Sequence, residues 1–156
     1  MKIYDYLSKE CIDVTLSPVA SKKELFITMI NIANAHYGNI NIENALKGLL
    51  KREGLGSTGV GKEIAIPHTG LIECQNIIPL VGIIKDGMEF ESIDSIPAKI
   101  IFMILFPEKD VTLQLRFLAR VSRLLRKEEL RIELIKSDSP QRVMDIFRSY
   151  EDKHFG

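Results

Sequence analysis

The sequence predicts an α/β protein, a single domain with a mixed β-sheet flanked by helices on both faces. Three observations carry that reading. Short apolar runs of strand length are interspersed with longer segments whose apolar residues recur with helical spacing. One run, Lys99 to Phe106, is apolar almost without a break, as expected of a strand covered on both sides. The 156 residues contain no repeat, linker or low-complexity stretch, and that length suits one domain on the usual range of about 100–200 residues.

The elements follow in order. Ile12, Val14 and Leu16 alternate with polar neighbours and predict a short strand that stops before Pro18. Ser21-Lys22-Lys23-Glu24 is a capping box, in which hydroxyl and carboxylate satisfy amides left free at a helix start. The helix it opens runs to about Tyr37 and is apolar on most sides, so it is expected to be largely buried; Gly38-Asn39 ends it. From about Asn41 to Glu53, Ile42, Ala45, Leu46, Leu49 and Leu50 form the apolar stripe of a second helix, with Gly54 as its stop. Gly54 to Gly61 then places four glycines in eight residues and reads as a loop. Ile64-Ala65-Ile66 is a short strand, and Pro67 biases Ile66 toward extended geometry. His68 is therefore expected just past that strand's carboxyl end.

Ile77 to Ile84 predicts a further strand, with Pro79 confined to an edge or to the strand start. The buried run Lys99 to Phe106 comes next, and Pro107 ends it. A helix runs from about Thr112 through Lys127, bending and resuming to Lys136. Ser139-Pro140, an N-cap followed by proline at the first helical position, opens the last helix, which reaches about Glu151.

Composition excludes several classes of function. Lys plus Arg total 21 and Asp plus Glu total 21, a balance that argues against holding nucleic acid or an anionic membrane by bulk charge. Cys11 and Cys74 are too few for a disulfide framework or a four-thiolate zinc site. The first residues, MKIYDYLSKEC, lack the apolar run and small-residue cleavage site of a secretory signal, and no apolar run reaches the ~20 residues of a membrane span. The expectation is a soluble, reduced, cytoplasmic protein without membrane insertion.

Of the three histidines, His36 falls in the last turn of a helix and His154 in an expected frayed tail. His68 differs: a rigid proline precedes it, a small polar residue and a glycine follow, and the glycine-rich loop lies just upstream. Ligands in α/β folds tend to bind beyond the carboxyl ends of strands, and a neutral imidazole there keeps one nitrogen free as a nucleophile. The loop is not a Walker motif, yet the amides of Gly59 and Gly61 and the hydroxyls of Ser57 and Thr58 are suited to cradle a phosphoryl group. Taken alone, the loop reads rather as a plain flexible connection. Arg52 lies in the last turn of the second helix. Gln114 begins the inward line Gln114, Leu118, Val121, Leu125, where its amide needs a partner. Arg116, Arg120, Arg123 and Lys127 form the opposite, solvated face of that helix. His68 and Cys74 offer no further ligand nearby, so neither a metal nor a cofactor is expected.

The stretch from Glu53 through Val60-Gly61 to Ile64-Ala65-Ile66-Pro67-His68 resembles the active-site signature of enzyme IIA domains of the bacterial phosphotransferase system, fructose–mannitol type. That type includes the nitrogen-regulatory IIA proteins. The order of elements across residues 1–156 is also similar to the family's fold. The resemblance implies that His68 receives a phosphoryl group from the phosphocarrier HPr, or a paralogue, and passes it to a IIB acceptor or uses it as a regulatory signal. The family's arginine falls on Arg52. Its second histidine falls on Gln114, and the small residue after the active histidine is here Thr69; both are departures.

Physical chemistry agrees with these roles. A phosphohistidine carries close to two negative charges, which an arginine meets with a permanently charged fork. Transfer between two histidines asks mainly for position and electrostatics, so no metal is required. Gln114 donates a hydrogen bond but does not titrate, so transfer is expected to survive with altered rate or pH dependence. The rival reading is a regulatory binding module with vestigial phosphotransfer. A chain with no room for IIB or membrane domains suits a regulatory protein or a sugar-specific subunit, the nitrogen-regulatory kind being slightly favoured.

Overall fold

The computed structural model describes residues 1–155. Its centre is the run that the sequence marks as doubly covered. This strand, Ala98–Pro107, has every side chain from Ile100 to Phe106 buried. Because strand side chains alternate, Ile100, Phe102, Ile104 and Phe106 enter one core, while Ile101, Met103 and Leu105 enter another.

Around it the chain forms β1 (Ile12–Asp13), β2 (Gly59–Gly61), β3 (Ile64–Ala65), β4 (His68–Leu71) and β5 (Ile78–Met88), with Ala98–Pro107 as β6. The sheet order is β1-β5-β6-β3-β2, and β4 also pairs with β6. β5 runs antiparallel to β6, whereas β3 and β4 run parallel to it. The sheet is therefore mixed, as expected. Pro79 lies at the start of β5, outside the Val81–Gly82 segment that β1 pairs, so its missing N–H costs no ladder bond there. β5 outruns the expected end at Ile84 and continues to Met88.

The helices are α1 (Lys22–Tyr37), α2 (Ile42–Gly54), α3 (Val111–Leu125), α4 (Glu128–Lys136) and α5 (Pro140–Phe155). α1 and α2 cover one face of the sheet, with Phe26, Met29, Ile30, Ala45 and Leu49 in that core. The other three cover the opposite face, where Phe102 meets Phe147 and Phe106 meets Phe117 edge to face at 5.7 and 6.0 Å. Ser21 caps α1 by accepting the amide of Glu24, which is the hydroxyl half of the expected capping box.

Several expectations are corrected. α1 buries only the stripe Leu25, Phe26, Met29, Ile30 and Ala33, and Lys23, Glu24, Thr28 and Asn31 are exposed: the sheet offers a helix one face to cover. His154 belongs to α5, which continues to Phe155, and its ring stacks on Tyr150. The stripe Arg116, Arg120, Arg123, Lys127 is not uniformly solvated. Arg120 donates from Nε to the fully buried Glu151 at 2.7 Å, and its guanidinium lies over the Phe155 ring. The same carboxylate accepts the amides of Ile3 and Tyr4 at 2.9 Å each, tying the amino-terminal turn to α5.

A buried carboxylate with this set of partners is costly to remove, because it leaves a cation and two amides without their acceptor. Glu151→Ala is expected to lower unfolding stability by about 3 kcal/mol, read from urea denaturation. Faster amide exchange at Ile3 and Tyr4 should accompany it. A loss within experimental error would show that the clasp contributes nothing.

Candidate functional site

The site grows from a break in a strand. β3 and β4 lie along β6 in one continuous register, with Ala65 opposite Ile101 and His68 opposite Ile104. The break falls at Ile66-Pro67, where proline has no N–H to give to the ladder. Ile66 instead donates its amide to the Thr58 carbonyl at 3.0 Å, and Pro67 keeps contact with β6 by accepting the amide of Ile104 at 3.0 Å. His68 is thus the first residue of β4, not a loop residue beyond the strand.

The carbonyl of Ile66 is turned toward the imidazole, and His68 Nδ1 lies 2.8 Å from it. A carbonyl only accepts, so Nδ1 carries the hydrogen and Nε2 carries the free lone pair. Burial, and more weakly the positive charge of Arg52, push the ring's pKa below its ordinary 6.5, against the opposing pull of the Ile66 carbonyl and of Glu53. The neutral form therefore dominates near neutral pH.

His68 opens into a groove of about 540 Å³. Lys47, Lys51 and Arg52 line it from α2, while Thr69, Gly70, Ile72 and Glu73 come from β4 and the turn after it. Glu108, Val111 and Gln114 complete it from the end of β6 and the start of α3. The fold thus brings His68, Arg52 and Gln114 into one depression from three separate parts of the chain. Leu55, Ile72 and Val111 on its rim are 80%, 72% and 60% exposed, unusual for side chains of this size.

Gln114 does not offer its amide hydrogens to the groove. Nε2 donates to the carbonyls of Pro107 at 3.0 Å and Glu108 at 3.3 Å, so the donor role expected of it is occupied by the corner between β6 and α3. Arg52 Nη1 donates to the Gly56 carbonyl at 2.8 Å.

The glycine-rich segment is arranged differently from the expected cradle, and none of Ser57, Thr58, Gly59 and Gly61 lines the groove. Ser57 Oγ donates to the Phe90 carbonyl and accepts the amide of Gly59. The Thr58 hydroxyl and amide both bind the Glu53 carboxylate. Gly59 and Gly61 belong to β2, paired with β3. The hydroxyls of Ser57 and Thr58 are engaged within the fold, which composition alone does not reveal.

Sequence reasoning noticed Thr69 but not what accommodates it. Thr69 faces α2 at Gly48, where a Cβ on residue 48 would stand 2.2 Å from Thr69 Oγ1. The larger residue after His68 and the glycine one helix away form a coupled pair. Cys74, considered with His68 as a metal ligand, is buried in a different depression with its thiol pushed up to about 11.

Comparison with known proteins gives a consistent result. The family described as "Phosphoenolpyruvate-dependent sugar phosphotransferase system, EIIA 2" matches residues 5–150. A fructose-specific EIIABC component of Bacillus subtilis is 34% identical over 152 residues, which is 97% of this chain and 24% of that protein. The chain therefore spans about a quarter of that relative's length. The crystal structure of nitrogen regulatory protein IIA-Ntr from Neisseria meningitidis superposes with TM-score 0.83 at 26% identity, covering 93% of this chain and 98% of that one. The IIA mannitol protein of Escherichia coli, solved in complex with phosphorylated IIB mannitol, shares the fold at TM-score 0.74 and 19% identity over 92% and 97% of the two chains.

Two outcomes test the site's geometry. Gly48→Ala should destabilise by about 1 kcal/mol net, since overpacking against Thr69 outweighs alanine's helix preference. Adding Thr69→Ala should recover most of that loss in thermal unfolding, and a purely additive double variant would disprove the coupling. NMR titration of the His68 ring should give a midpoint below 6.5, and Arg52→Ala should move it upward. A midpoint indifferent to that substitution would remove Arg52 from the ring's surroundings.

Proposed function

The chain belongs to the EIIA 2 family of the phosphoenolpyruvate-dependent sugar phosphotransferase system, and from that membership we propose that it is a phosphohistidine carrier whose acceptor atom is Nε2 of His68. The observation that carries this reading is the hydrogen bond between His68 Nδ1 and the Ile66 carbonyl. It fixes the tautomer, so that the lone pair needed for attack stands on the other nitrogen.

In the uptake step the Nε2 lone pair bonds to phosphorus of a phosphohistidine donor. The donor's P–N bond breaks, and its electron pair leaves with the donor imidazole. His68 becomes a cationic ring at that moment, and the Ile66 carbonyl, already accepting from Nδ1, stabilises it. The negative oxygens of the phosphoryl group meet the cations of Arg52, Lys47 and Lys51 around the groove. Glu73 and Glu108 on the same walls oppose that charge and keep the group from being held too tightly to pass on.

The exposed rim of Leu55, Ile72 and Val111 suits a partner that docks an apolar patch around the histidine. The donor is an HPr-like phosphocarrier. The acceptor is a IIB domain or a regulated target protein, by analogy with the Escherichia coli mannitol pair, which is complexed through its phosphorylated IIB component. The likeness to the Neisseria nitrogen regulatory protein supports a nitrogen-regulatory role slightly over sugar uptake, and the cytoplasm is where such partners would be met. No described helix is long and apolar enough to cross a membrane.

A second reading, a regulatory binding module, is favoured by one observation: the amide of Gln114 serves the main chain and gives the phosphoryl group no donor.

Incubation with phosphoenolpyruvate, enzyme I and HPr tests the two. The carrier predicts an acid-labile phosphoprotein modified at Nε2, seen by phosphorus and nitrogen NMR. His68→Ala should abolish the species with circular dichroism unchanged. Arg52→Ala should slow its formation by about a hundredfold, the scale of losing one charge-stabilising donor. A wild-type protein that takes up no phosphate from any HPr paralogue of its own cell would favour the binding module.

A further inference from the structure

We propose that Glu53 is a positioning residue for this groove, holding Arg52 in place through the glycine-rich turn that follows α2. The inference rests on the phosphoryl-binding role proposed for Arg52.

Glu53 is the neighbour of Arg52 at the end of α2, yet its side chain is only 6% exposed. Both carboxylate oxygens stand 3.2 Å from the Thr58 amide, and one accepts the Thr58 hydroxyl. Lys22 Nζ closes the set at 2.9 Å. Lys22 lies in the first turn of α1, where the helix dipole disfavours a cation. Its own helix does not explain it, but the carboxylate does. The ammonium also stacks over the Phe90 ring at 4.5 Å and lies 3.4 Å from Ser57 Oγ. Ser57 in turn bonds the Phe90 carbonyl at 2.7 Å and the Gly59 amide at 3.0 Å.

The turn from Gly56 to Gly59 is thus clamped by side chains from α1 and α2 and by the main chain at Phe90. This matters because glycine-rich backbone is otherwise free to reorient. Gly56 sits at φ +147°, and its carbonyl is the only hydrogen-bond partner of the Arg52 side chain among the described residues. His68 has separate anchors: β3, the Pro67 carbonyl and β4 all hold it to β6. The turn touches this part of the site through one bond, the Ile66 amide on the Thr58 carbonyl, so its release would free Arg52 while β6 still holds His68. Lys22 has a second effect, since it neutralises a buried carboxylate that would otherwise repel an incoming dianion.

A double-variant cycle on the full chain tests the proposal. Glu53→Gln keeps the shape of the side chain but loses the buried one of the two carboxylates that pair with Lys22, exposed Glu91 at 3.3 Å being the other. It is expected to slow phosphoryl uptake about tenfold when Arg52 is present, and by less than about twofold in an Arg52→Ala background. Equal factors in the two backgrounds would overturn the proposal. If Glu53→Gln does not fold by circular dichroism, Thr58→Val carries the same cycle, because it deletes one bond of the clamp and keeps the ion pair.

Nitrogen relaxation at Arg52 Nε supplies a readout independent of phosphate. The side chain should be ordered in the wild type and mobile in Glu53→Gln, with the His68 ring equally ordered in both. An Arg52 equally ordered in both overturns the positioning role even if phosphate is taken up. A wild type that takes up no phosphate, while Glu53→Gln still releases Arg52, overturns the carrier function and upholds the positioning.

Discussion

Proline at position 67 removes one hydrogen-bond donor from a strand that would otherwise run unbroken beside β6, and the candidate site follows from that subtraction. Glu63 and Pro67 direct their carbonyls to β6, and Ile66 between them turns both of its main-chain groups to the other side. Its amide reaches the glycine-rich turn, and its carbonyl reaches the imidazole. One residue thereby joins the two features that make the region chemically distinctive. Pairing resumes at once in the same register, so the histidine is fixed by a rigid sheet although it stands at an interruption.

The charges around that ring suit the brief occupancy that the proposed carrier role requires. Three cations and two carboxylates line the same groove, and the histidine itself is held neutral chiefly by burial. Strong net attraction would make a carrier that loads and does not unload, and net repulsion would prevent loading. Phosphoryl transfer between imidazoles is close to symmetric chemistry, so a mixed field of this kind suits it better than a deep anion trap. The buried pair of Lys22 and Glu53 lies just behind this surface, where neutralisation keeps a carboxylate from adding to the repulsion.

Thr69 and Gly48 show how a departure from a local pattern is absorbed elsewhere. A residue larger than usual follows the histidine, and the helix packed on β4 has no side chain at the point of contact. The two positions are 21 apart in sequence, and nothing in the periodicity of either segment links them. Gln114 is a similar case. An inward-facing glutamine was recognisable as a group needing partners, but which partners depended on how tightly the end of β6 turns into α3.

What the sequence determined by itself was the short-range part. Apolar periodicity and caps placed α1, α2 and the last helix, the unbroken apolar run marked the central strand, and the Pro-His pair with its upstream signature singled out His68. These properties are fixed within a few residues, where backbone geometry and side-chain spacing leave few alternatives. The tertiary structure decided which polar groups remain free. Ser57 and Thr58 looked available and face inward, Arg120 looked solvated and binds a buried carboxylate, and the expected tail past Glu151 is helix packed on the rest. Each outcome depends on a partner distant in the chain, and a hydrogen bond belongs to two groups at once, so one local segment cannot reveal whether its own half is already taken.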